Sequence, residues 1–261
     1  MAIDDILGLA VRSLNPQWNL ADFHARIARL AAIAPGNRVL DLGCGNGNGL
    51  PPLLAAVGPA GEVVAADRDQ ASLDRAKAAH ADARLTVVHA DFAKRLPLAD
   101  GSFDRVICQN VIECVADRKG LLSEIHRILR PGGIALVGHH DFDGVLLASD
   151  DRELTRRLVH GYADFTQPWQ DESEGQMGRL LPGLFDRGPF GQTETETMLF
   201  VDLAPSDGTY AKQHIGDMVR LSGEFGVDAG EAQKWLRDLE ARTAAGAFYY
   251  ALPWIYVIAR R

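Results

Sequence analysis

The chain has 261 residues, 47% hydrophobic, 24% charged and 7% aromatic, an ordinary globular composition long enough for one large α/β domain or a domain with a sizeable insertion. Acids outnumber bases 35 to 27, and the net charge of -8 disfavours a polyanion such as DNA as a partner. No apolar run approaches the roughly 18 residues of a membrane span, so no membrane association is expected. The acidic start, Met-Ala-Ile-Asp-Asp, is unlike the basic opening of a secretory signal. Cys44, Cys108 and Cys114 are an odd count without metal-ligand spacing, as expected of reduced thiols in a cytoplasmic protein.

Helical periodicity opens the chain. Ile3, Ile6, Leu7, Ala10, Val11 and Leu14 make one apolar stripe, ended by Asn15-Pro16, and a second helix is expected over 22–33 with Phe23, Ile27 and Leu30 inward. From Arg38 the pattern alternates. Strands are predicted over 38–42, 62–66, 85–90, 103–109 and 134–138, with helices over 50–57 and 70–82 and another marked by Leu121 to Leu129. Pro131-Gly132-Gly133 should stop that last helix. Short alternation of this kind means βαβ units and a mainly parallel α/β sheet.

The rhythm changes after His139. Residues 141–191 mix helical signals with glycines, a strand follows over 193–202, and two more helices precede a closing strand over 248–259. Asp228-Ala-Gly-Glu231 has the capping-box pattern of a helix start. The expected organisation is one domain. Residues 1–36 would be N-terminal helices, 37–140 a cofactor-binding core, 141–191 and 204–246 cap insertions, and 247–261 the closing strand.

The most informative segment is Val39-Leu-Asp-Leu-Gly-Cys-Gly-Asn-Gly-Asn-Gly49. Glycines between a strand and a helix let ligand atoms approach the backbone beside free N–H groups. No frame here gives the G-x-G-x-x-G of a dinucleotide site, because the third position holds Asn48, Leu50 or Pro52. A dinucleotide oxidoreductase is therefore disfavoured.

This segment resembles motif I of the class I S-adenosylmethionine-dependent methyltransferases, an apolar strand and an acid followed by Gly-x-Gly-x-Gly. Leu96-Pro-Leu-Ala-Asp-Gly-Ser-Phe-Asp104 and Arg127-Ile-Leu-Arg-Pro-Gly-Gly133 are similar to runs of its type-11 group, which includes quinone C-methyltransferases. The resemblance covers residues 37 to 140 and names no acceptor. It implies a doubly wound, seven-stranded sheet, mainly parallel, with an antiparallel last strand, and S-adenosyl-L-methionine as cofactor. Asp41 would reach the methionine end of that cofactor, with Gly43, Cys44, Gly45, Asn46 and Gly47 as its cradle. Asp67, ending the second strand, would take the ribose hydroxyls. Asp91 would bind the adenine amino group and Phe92 would add an edge or backbone contact. Arg68 is either a further cofactor contact or solvated, and Asn110 either touches the ligands or caps the next helix.

Methyl transfer from a sulfonium is an in-line displacement in which the protein supplies alignment and, for some acceptors, proton removal. His139 and His140 end the fifth strand beside the expected transfer site, and histidine titrates near neutrality. Strand alternation sends them to opposite faces, so one at most faces the acceptor, against structural roles for both. A base there would give a pH–rate limb near neutrality. His140, Asp141 and Asp143 match no specific metal-site spacing, and no metal is expected. Tyr162, Phe165, Trp169 and Met177 either line an acceptor pocket or pack the insertion, Glu172 and Glu174 should face water, and one of Tyr249 and Tyr250 should point inward. The acceptor is expected to be a small molecule whose reacting atom (O, N or C) is undetermined, and a homodimer is a common arrangement in the resembling group. The alternative is a cofactor-binding regulator or subunit without its own transfer activity.

Overall fold

The computed structural model describes residues 20–171 and 174–261. The helical stripe from Ile3 to Leu14 and the side chain of Glu172 lie outside the described residues. The strands are β1 (Arg38–Leu42), β2 (Glu62–Asp67), β3 (Leu85–His89), β4 (Phe103–Gln109), β5 (Leu129–His140), β6 (Leu146–Leu147), β7 (Gln192–Asp202) and β8 (Tyr250–Arg260). The helices are α1 (Leu20–Leu30), α2 (Leu50–Val57), α3 (Gln70–Ala79), α4 (Arg118–Ile128), α5 (Arg152–Asp164), α6 (Met177–Asp186), α7 (Tyr210–Arg220) and α8 (Ala229–Ala244).

The first five strands run parallel in the order β3-β2-β1-β4-β5. β8 lies antiparallel to β5 on one edge and to β7 on the other, with Gly138 opposite Tyr256 and Glu196 opposite the same residue. β7 therefore runs parallel to β5, and β8 is the reversed strand of a seven-strand path. The two-residue β6 adds an eighth strand beside Tyr250 and Ala251.

Alternation along each strand makes two cores. Val39, Val63, Ile107 and Leu136 face α1, α2 and the α7–α8 layer, whereas Leu40, Val64, Cys108 and Val137 face α4 and α6. The 141–191 segment is divided between them. Leu154 and Leu158 of α5 join the first core, and Met177, Leu181 and Phe185 of α6 join the second. Met177 packs a sheet face and is fully buried.

The element boundaries have local causes. Asp69 caps α3 by accepting the Ser72 N–H at 3.0 Å, as its Asp-x-x-Ser spacing allows. Pro51 and Pro52 occupy the first turn of α2, where a missing N–H costs no helix bond. The capping box at Asp228 and Glu231 forms. β5 begins at Leu129, five residues before the expected Ile134, because Pro131-Gly132-Gly133 forms a bulge inside the strand; Gly132 has φ +78 and donates to the Arg261 carbonyl at 2.9 Å. No helix among the described residues is long and apolar enough to cross a membrane.

Candidate active site

The glycine turn after β1 is shaped by two neighbours. Gly43 has φ +81, and a Cβ there would overlap Val111 Cγ2, so this position excludes other residues twice over. Its N–H and that of Cys44 both donate to the Ala66 carbonyl, at 2.8 and 3.1 Å. Gly45 has φ +51 and open space where a Cβ would stand, leaving its backbone bare to a cleft. The Gly45 N–H donates to Asp67 Oδ2 at 2.8 Å, so the acid ending β2 braces the turn.

That cleft is lined by Asp41, Gly43, Cys44, Gly45, Asn46, Asn110 and His140, together with Phe23, His24, Phe200, Tyr210 and Gln213. Asp41 is 7% exposed, and burial first, then the Asp67 charge, pushes its carboxyl up to about 7. A buried carboxylate beside an open backbone cradle fits the cationic methionine end of S-adenosylmethionine. Gly47, Asp67, Arg68, Asp91, Phe92 and His139 do not line this cleft. Asp91 ends β3 half-exposed and pairs with Lys94 at 2.7 Å, while Phe92 packs into the α4-side core. Arg68 is turned towards the 169–171 loop of the insertion.

The two histidines point apart. His140 stacks on Tyr210, with ring centroids 4.7 Å apart, and its Nε2 is buried without a hydrogen-bond partner. Asn110, at φ +54, places its Oδ1 3.0 Å from both the backbone N and the ring Nδ1 of His140. The backbone N–H identifies that atom as oxygen, so Nδ1 carries the hydrogen and Nε2 keeps the lone pair. Asn110 thus orients a histidine and caps no helix. Burial first, then the neighbouring His139 and His214, hold the His140 pKa well below its ordinary value. His139 lies on the other face; its Nδ1 is 2.8 Å from the His140 carbonyl and its Nε2 3.4 Å from Glu113 Oε2.

A second cavity, of about 220 Å³, shares Asn110, Tyr210 and Gln213 with the first and extends under α5 and the following loop. Tyr162, Phe165 and Trp169 line it, so these aromatics of the insertion face a cavity. Glu113, one helical step beyond the end of β4, lines it too and is 5% exposed. His24 and His214 also belong to the neighbourhood although their spacing carried no signal. His24 lines the cleft, and His214 hydrogen-bonds Tyr250 at 2.8 Å. Asp141 and Asp143 both meet Arg179. Glu174 is partly buried, 3.8 Å from Arg118, against the expectation of free solvation. Tyr250 is the inward member of its pair and Tyr249 the exposed one.

Comparison with known proteins bears on the family and the fold. Residues 40–137 match the family model described as a methyltransferase domain. The chain is 31% identical over 231 residues to an uncharacterized 37.1 kDa protein in transposon TN4556 of Streptomyces fradiae, covering 87% of this chain and 63% of that one. It is 35% identical over 112 residues to a demethylmenaquinone methyltransferase of Staphylococcus aureus, covering 42% of this chain and 46% of that one. The chain thus spans less than two thirds of the length of either relative. A phosphoethanolamine N-methyltransferase of Haemonchus contortus, solved with S-adenosyl-L-methionine, superposes with a TM-score of 0.56 at 20% identity, over 92% of this chain and 52% of that one. That likeness is one of fold. With motif I at the end of β1, the matched span of 40–137 is a methyltransferase domain similar to those of the class I S-adenosylmethionine-dependent methyltransferases, type-11 group.

Proposed function

We propose that the chain transfers a methyl group from S-adenosylmethionine to a small-molecule acceptor by in-line displacement. The observation that carries this reading is the adjacency of the two cavities. The cleft over Gly45 and Asp41 and the aromatic chamber under α5 share the wall formed by Asn110, Tyr210 and Gln213. A donor in one and an acceptor in the other would meet at that wall.

When bound, the cofactor supplies a methyl already activated on a sulfonium. The chain's own residues do the rest. Asp41 holds positive charge at the methionine end, and Asp67 accepts from the ribose hydroxyls while bracing Gly45. Asp91 faces the adenine end. The buried aromatic wall around Tyr210 excludes water from the transfer site. His140 is the histidine that lines the cleft, and where the acceptor must lose a proton its Nε2 lone pair takes it. The single domain, the cap role of 141–191 and 204–246 and a cytoplasmic location belong to the same reading.

The test is calorimetry with S-adenosylmethionine and S-adenosylhomocysteine, followed by a methyl-transfer screen over phenols, amines, acids and carbon nucleophiles. Micromolar cofactor binding with turnover of one acceptor class supports the reading. Absence of cofactor binding at millimolar concentration overturns it. Cofactor binding without turnover of any class would favour a regulatory subunit.

A further inference from the structure

The chamber under α5 has a chemical character of its own. Its aromatic lining includes Phe142, Tyr162, Trp169 and Tyr210, and its carboxylates are Glu113 and Asp217. Its cation, Arg220, is committed to Asp217, donating at 2.7 Å from one guanidinium nitrogen and at 3.2 Å from another. Among the described residues the adjoining cleft adds a further carboxylate, Asp41, and no Lys or Arg. An anionic acceptor would therefore meet like charge, with no free counter-ion among the described lining residues.

Glu113 stands out within this lining. It is 5% exposed, lines the chamber, and its carboxylate has the His139 ring as its partner. The nearby His139 ring already uses Nδ1 towards the His140 carbonyl and offers Glu113 only Nε2 at 3.4 Å, outside a well-formed hydrogen bond. A buried carboxylate with so long a contact to its partner is costly, and a cationic ligand reduces that cost. Ring faces beside a carboxylate are also the environment that attracts ammonium groups, through the negative faces of the aromatic quadrupoles. The volume of about 220 Å³ lies below the roughly 300–1,000 Å³ of sites for drug-sized ligands, which sets a small acceptor.

We propose that this chamber recognises a small acceptor bearing a cationic nitrogen, an amine or a quaternary ammonium, with Glu113 as its counter-charge and the aromatic walls, Trp169 among them, as its faces. The proposal rests on the transfer reading above for the meaning of the chamber, and concerns recognition of the cation only.

The experiment is calorimetry on the whole chain with four probes, in the presence and absence of S-adenosylhomocysteine. Phenethylamine and benzyltrimethylammonium are the cations, 2-phenylethanol the uncharged isostere and phenylacetate the anion. The cations should bind at least about tenfold more tightly than 2-phenylethanol, with phenylacetate weakest. Glu113→Gln should remove that preference while S-adenosylhomocysteine affinity persists. Trp169→Ala, at a residue 57% exposed and so safe for folding, should weaken both cations several-fold. Equal binding of cations and alcohol, binding of none of the probes, or retention of the preference in both variants would overturn the proposal. Cation preference in a protein that binds no S-adenosylhomocysteine would sustain it while removing the transfer reading; the reverse result would do the opposite.

Discussion

Arg68 donates from one guanidinium nitrogen to the carbonyl of Trp169, across 101 residues of sequence. A second nitrogen reaches the Cys114 carbonyl at 3.3 Å and Asp171 Oδ1 at 3.2 Å. The residue that follows Asp67 is thus the tie between the sheet and the loop that walls the second cavity. Sequence spacing left Arg68 between a cofactor contact and solvation; in the structure its side chain is 30% exposed and serves the insertion.

Cutting that tie should free the loop. Arg68→Ala removes contacts to two carbonyls and an ion pair, so amide hydrogen exchange across 165–171 should accelerate while β1 and β2 remain protected. Cofactor and acceptor together should slow exchange in the same loop of the parent protein, because closure excludes water from the transfer. Unchanged exchange in Arg68→Ala would show that the loop is held by its own packing, and unchanged exchange on adding both ligands would show a static cap.

Asp67 should matter to cofactor affinity in two ways. Its Oδ2 accepts the Gly45 N–H and its Oδ1 the Asp69 N–H at 2.9 Å, and each oxygen has a further lone pair for a ribose hydroxyl. Asp67→Ala should weaken binding by about 1.5–3 kcal/mol, the value of hydrogen bonds to a charged group, in a folded protein. Asp67→Asn should lose less, since its amide oxygen can still accept from Gly45. Calorimetry on both variants checks this, and unaltered affinity in a folded Asp67→Ala would place the ribose elsewhere.

Asp41 predicts a pH dependence whose sign follows from its burial. With its carboxyl pushed up to about 7, the group is part-protonated at neutrality, and a cationic ligand favours the ionised form. Binding of S-adenosylmethionine should therefore release a proton near pH 7, and affinity should rise as pH climbs through that value. Stability of the ligand-free protein moves the other way. The folded state favours the neutral acid, so this group's contribution falls from the ordinary carboxyl pKa of about 4 up to about 7 and is level above. Asp41→Asn should flatten both profiles, as read by calorimetry and thermal melting between pH 5 and 9.

Much of the fold was legible because its signals are local. Strand alternation, the paired prolines that open α2 and the Asp228 capping box need no partner to be read. Motif I announced the turn at Gly43, although not that Val111 closes over it. The bulge in β5 was missed, since Pro131-Gly132-Gly133 reads as a helix stop and only pairing with Arg261 extends the strand backwards. His24 and His214 were illegible for a similar reason. Each is an unremarkable polar residue in its own helix, and becomes part of a site only where α1, α7 and the turn after β4 converge. The insertion was harder still, because its two helices serve opposite faces of the sheet and no single periodicity says so.

The last prediction separates His139 from His140. His140 lines the cleft, its Nε2 is buried without a partner and its Nδ1–H is held by Asn110, so one tautomer with a free Nε2 lone pair is set. If the acceptor must lose a proton, His140→Ala should cut turnover by about 10²–10⁴-fold with cofactor affinity preserved. Asn110→Ala should cut it less, by releasing the ring to the other tautomer. His139 faces away and is fully buried, so His139→Ala should chiefly cost stability, by about 2–5 kcal/mol. The structure also corrects the expected pH limb. Because the His140 pKa is lowered by burial, the ring stays neutral through the physiological range, and activity should fall only as pH drops well below the ordinary histidine value of about 6.5. A limb near neutrality that vanishes in His139→Ala would reverse the assignment, and near-normal turnover of both histidine variants at every pH would leave alignment alone as the source of catalysis.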